Sequence, residues 1–81
     1  MKENLLRLKT ILEERERVYN KAVQDYEHYK RNPPSTPDGN IVALKGNVAA
    51  LFGATSDLVT GYREYISALE QELGSGDVKE H

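Results

Sequence analysis

Residues 32–40 read Asn32-Pro33-Pro34-Ser35-Thr36-Pro37-Asp38-Gly39-Asn40. Three prolines and a glycine in nine residues cannot sit inside a helix or a strand. On either side, apolar residues recur in steps of three and four. Before the break the stripe is Leu5, Leu8, Leu12, Arg15, Tyr19, Ala22, Tyr26 and Tyr29. After it the stripe is Ile41, Leu44, Val48, Leu51, Thr55, Leu58, Tyr62 and Tyr65, extended by Leu69. Heptad spacing on both sides of a proline-rich turn reads as two long helices folded back into a hairpin.

Working outward from the break, the first helix is expected over residues 2–31. It holds no glycine or proline and is rich in Glu, Arg, Lys and Leu, all good helix formers. Asn32 precedes Pro33 and is driven out of the α region, which ends the helix. Thr36, Pro37 and Asp38 look like the cap and first two positions of the second helix, with Asn40 as a rival cap. The second helix should therefore begin at 37 or 41 and run to 73, with Gly74 as its C-terminal cap. The polar tail 74–81 is expected to be disordered.

The two stripes can be set face to face. One antiparallel register pairs Leu12 with Leu58, Tyr19 with Leu51 and Arg15 with Thr55, so that every layer joins stripe to stripe. Arg15 and Thr55 would then form a polar layer that fixes register. Alternatively, Arg15 reaches a carboxylate such as Asp57 or grips an anion. Five of the six aromatics are tyrosines, and all five lie on the stripes, where a ring can sit in the seam with its hydroxyl at the wet edge.

More apolar surface is present than one hairpin seam can cover. Phe52, Val59, Ile66 and Leu73 recur every seven residues beside the second stripe, and Ile11 and Val18 sit beside the first. From Ile41 to Ser56 the only charge is Lys45, and Ala43, Gly46, Ala50, Gly53 and Ala54 would make a smooth outer side. Glycine inside a helix costs about 1 kcal/mol relative to alanine, so Gly46, Gly53 and Gly61 ask for compensation. The expected contact surface is Gly46, Ala50, Phe52, Gly53, Val59, Ile66 and Leu73, with Ile11 and Val18. Its occupant is a second copy, giving a four-helix bundle, or another protein.

The totals agree. Eighty-one residues bound the chain to one domain, too small for a large core without reinforcement. No cysteine is present, which excludes disulfides and thiol chemistry and leaves oligomerisation as the available support. Net charge is −2, with eight Lys/Arg against six Asp/Glu over residues 1–32 and three against seven over 33–81. A mildly basic helix therefore packs on a mildly acidic one. No apolar run approaches the roughly 20 residues of a membrane span, and no signal peptide is visible at the start, so a cytoplasmic location is the default expectation.

Catalytic signals are weak. His28 is a lone histidine at an outward position, His81 is terminal, and Glu13, Glu14 and Glu16 alternate with Arg15 and Arg17 as on a solvated face. No cofactor, metal or small-molecule substrate is implied. Lys2, Arg7, Lys9, Arg17, Lys21, Lys30 and Arg31 are scattered among acids rather than gathered on one face, which disfavours nucleic acid. A nucleic-acid-binding hairpin using the first helix is nonetheless the rival from another class.

The length and the run Asn32-Pro33-Pro34-Ser35-Thr36-Pro37 resemble type III secretion needle subunits, short helical hairpins with a proline–serine–proline turn. That resemblance implies a filament subunit. The chain departs from it in ending on a charged Gly-Ser tail rather than an apolar helix. The expected fold is thus all-α: a long antiparallel two-helix hairpin, coiled-coil-like, dimerising into a four-helix bundle. The expected role is non-enzymatic protein–protein interaction, as an adaptor, stoichiometric inhibitor or assembly subunit.

Overall fold

The computed structural model describes the backbone of residues 2–80 and the side chains of residues 3–74. Two helices, α1 (Lys2–Arg31) and α2 (Pro37–Glu80), pack against each other as an antiparallel, all-α hairpin. The molecule measures 65 × 18 × 15 Å. At ~1.5 Å per residue, α2 alone accounts for that length.

The turn is built by capping. Asn32 N–H donates to the His28 carbonyl at 2.9 Å and closes α1, while Lys30 and Arg31 place positive charge at its C-terminal end. Thr36 is the cap of α2. Its Oγ1 accepts from Gly39 N–H at 3.1 Å, and its carbonyl accepts from Asn40 N–H at 2.9 Å. Asn40, the rival cap, lies inside the helix, where it accepts a hydrogen bond from the Tyr29 hydroxyl and ties the two helices together at the turn. A side chain at Gly39 would meet Thr36 Oγ1 at 2.7 Å, so glycine there keeps the capping bond open.

At the other end α2 does not stop at Gly74. The helix continues to Glu80, and no glycine among the described residues takes a positive φ. A helix turns at glycine only where something requires the left-handed conformation, and nothing after Gly74 does. The expectation of a disordered tail falls mostly on residues 75–81, whose side chains lie outside the described residues.

The seam corrects the expected register. On α1 the whole expected stripe, Leu5 to Tyr29, is buried or half-buried. On α2 the buried and half-buried line runs Asn40, Ala43, Asn47, Leu51, Ala54, Leu58, Gly61, Tyr65, Ala68 and Glu72. Ile41, Leu44, Thr55 and Tyr62, expected inside, are exposed. Leu12 faces Gly61, not Leu58. A Cβ at Gly61 would lie 3.3 Å from Leu12 Cδ1 and 3.2 Å from Arg15 Cδ. Among the described residues the buried ones are Leu12 and Ala22 on α1 and Ala54, Gly61 and Ala68 on α2, so the deepest positions of α2 are all small and Leu12 settles over one of them. Small residues let the helix axes approach, and dispersion contacts multiply as they do. Gly61 is therefore compensated by close packing within the hairpin.

Candidate interaction surface

Moving every seam position of α2 forward by one residue gives Ile41, Leu44, Val48, Phe52, Thr55, Val59, Tyr62, Ile66, Leu69 and Leu73. One residue is about 100° of rotation around a helix. From Val48 to Leu73 this second line keeps unbroken heptad spacing, and all but one of its residues are apolar or aromatic. Phe52 is 73% exposed, Leu73 68%, Ile41 52% and Ile66 51%, with Val59, Tyr62 and Leu44 also exposed. Val48 and Leu69 are half-buried. A shallow cleft of about 190 Å³ opens in the stripe between Val48, Leu51, Phe52 and Thr55.

Both hydroxyls on the stripe already have internal partners. Thr55 Oγ1 donates to the Leu51 carbonyl at 2.7 Å. The Tyr62 hydroxyl donates to Glu16 Oε2 at 3.2 Å. Partial desolvation first, and the Glu16 carboxylate second, push the Tyr62 phenol pKa above its ordinary value. The stripe can therefore lose water without stranding a donor or acceptor.

Arg15 makes no layer with Thr55. Its Nη1 donates to the Asp57 carbonyl at 2.9 Å and lies 3.6 Å from the Glu64 carboxylate. A Cβ at Gly61 would press on the Arg15 side-chain stem, at 3.2 Å from Cδ, while standing in ordinary contact with Nη1 at 3.5 Å. The contact is to the Asp57 backbone, not to its carboxylate. Arg15 holds the edge of the seam, and Thr55 belongs to the exposed stripe.

The residues expected to form one contact surface separate into three places. Phe52, Val59, Ile66 and Leu73 lie on the exposed stripe of α2. Gly46, Ala50 and Gly53 are exposed on another side of α2, and a Cβ at Gly46 or Gly53 would meet nothing within 4 Å. Ile11 and Val18, half-buried and exposed respectively, flank Arg15 on α1. Their spacing from Arg15 puts them on the flank marked by Asp57 and Glu64, whereas the stripe lies on the flank marked by Glu16 and Tyr62. Ala43 and Ala54, expected outside, are in the seam.

The remaining features are surface electrostatics. Arg17 pairs with Glu14 and Lys21 with Asp25 on exposed turns of α1. The hydrogen bonds from Arg17, reinforced by its charge, hold the Glu14 carboxyl pKa below its usual value. Such exposed pairs contribute little to stability. Asn4, Arg7, Leu8, Arg63, Glu64, Ser67, Ala68 and Gln71 line an open groove of about 370 Å³ with charges of both signs. Among the described residues no group of three or more His, Asp or Glu side chains gathers as a metal cage. No described helix is long and apolar enough to cross a membrane. Compared with known proteins, the chain matches no family model, no curated protein and no solved structure.

Proposed function

We propose that this chain is a non-enzymatic protein–protein interaction module, an adaptor, stoichiometric inhibitor or assembly subunit that works through the exposed heptad stripe of α2. The observation that carries this reading is the second stripe itself. Full burial of one such side chain is worth roughly 1.5–3 kcal/mol, so leaving this many half in water is costly unless something covers them. Heptad spacing over the stripe matches a helix laid alongside α2, since knobs every 3.5 residues fit the holes of another helix. The hairpin supplies a stiff backing, and α1 covers the side of α2 that carries Ala54, Gly61 and Ala68.

The test is Phe52→Asp combined with Ile66→Asp. Both positions are exposed, so the variant should keep its helical circular dichroism. It should also lose the solution assembly, or the bound partner, shown by the parent chain in sedimentation and co-purification. A variant that retains the parent's mass and partners would overturn the assignment.

A further inference from the structure

We infer that the occupant of the stripe is a second copy of this chain, paired antiparallel through α2 about a two-fold axis close to residues 60 and 61. This deepens the reading above and rests on it.

Four observations lead there. First, the stripe is self-complementary. Run antiparallel against itself, it forms the layers Val48 with Leu73, Phe52 with Leu69, Thr55 with Ile66 and Val59 with Tyr62, each made twice. In these layers Thr55 and Val59, the smaller residues, meet Ile66 and Tyr62, the larger ones. Volumes are thus balanced along the seam, as close packing requires. Second, the polar atoms that would be covered are already satisfied by Leu51 and Glu16. Third, at these exposures the stripe and its margins offer on the order of 700–800 Å² per copy, about what each partner gives to a standard stable interface. Fourth, the stripe stands about 100° around α2 from the seam with α1, close to the corner of a four-helix bundle. A pair joined at α2 therefore brings the two α1 helices side by side.

Charge then distinguishes this register from one of its neighbours. Setting Leu12 level with Gly61 gives each α1 residue a level on α2. In the register above, Lys9 of one copy comes level with Glu16 of the other, and the pairing is made twice. Slipping one heptad in one direction sets Glu16 against Glu16, on the flank where Glu16 meets Tyr62. The same α1 flank carries Glu13 and Asn20, both exposed, and the half-buried Val23, so α2 carries most of the apolar part of the contact.

The chain has no cysteine, which makes cross-linking clean. Phe52→Cys and Leu69→Cys are prepared separately, and circular dichroism checks that both remain helical. Under mild oxidation the equimolar mixture should give a covalent pair, while each variant alone should give little. In the antiparallel pair the two copies of either residue are ~25 Å apart along the axis. Efficient self-linking of each variant alone would mean a parallel pair and would overturn the inference. So would linking of Phe52→Cys to Tyr62→Cys in preference to Leu69→Cys, which marks the slipped register. A parent chain that sediments as a helical monomer at high concentration also overturns it. The broader interaction reading would then still stand or fall on the Phe52/Ile66 variant and its bound partners. If the pair forms, Phe52→Asp should weaken it at least 100-fold.

Discussion

Gly61 is the residue on which the hairpin turns. It lies under Leu12 and under Arg15, whose Nη1 donates to the Asp57 carbonyl. Gly61→Leu should overpack the seam and cost about 1–3 kcal/mol. Gly61→Ala should fall near neutral, since ~1 kcal/mol of helix propensity offsets the few tenths of an ångström its neighbours must yield. Denaturant titration of the two variants separates these outcomes. Tyr62 makes a second residue-level test. Its phenol is pushed up, so the protonated form is favoured by folding. The associated stability is complete below the phenol's ordinary pKa of ~10 and is lost as pH rises through the higher folded value. Ultraviolet titration should show one late-ionising tyrosine that disappears in Tyr62→Phe.

At the level of the elements, capping and side-chain size decide different things. The Thr36 hydroxyl closes the first turn of α2, and Thr36→Ala should cost about 1 kcal/mol, read as a lower melting temperature. Gly46 and Gly53 face open space, so replacing both with alanine should stabilise the hairpin by about 2 kcal/mol and leave its assembly unchanged. Loss of assembly in that variant would instead place a neighbour on the glycine side. The ends of α1 and the start of α2 were legible because prolines and a capping threonine act locally. The seam of α1 was legible because its apolar face is narrow. The seam of α2 was not, because four adjacent positions in each heptad are apolar or small. Periodicity alone ran down the middle of that band. It took Leu51, Leu58 and Tyr65 from the true seam and Ile41, Leu44, Val48, Thr55, Tyr62 and Leu69 from the outer stripe. What separates the two lines is the size of Ala54, Gly61 and Ala68 against Leu12 and Tyr19, which pattern matching by hydrophobicity overlooks. The heptad Phe52, Val59, Ile66, Leu73 was readable as surplus. Its companions Thr55 and Tyr62 became visible only once the seam was known.

For the whole molecule, the consequence is a coupling between folding and association. A hairpin whose buried residues are chiefly Leu12, Ala22, Ala54, Gly61 and Ala68 has a thin core. If the second stripe is covered by another copy, that cover binds the folded chain alone, and the melting temperature must rise with protein concentration. A scan over a hundredfold range of concentration should show this shift in the parent chain and abolish it in the Phe52/Ile66 double variant. A melting temperature independent of concentration would mean the hairpin stands by itself.

The offset between the two faces of α2 is a single screw step. Deleting one amino acid early in the helix, after its cap, would carry every later side chain back by that step and bring the outer stripe into the seam. Tyr62 would take the place of Gly61, where a Cβ alone already lies 3.3 Å from Leu12 Cδ1 and 3.2 Å from Arg15 Cδ. Frame within α2 is thus guarded by steric room, and the chain has no tolerance for a slip that a purely oily contact would forgive.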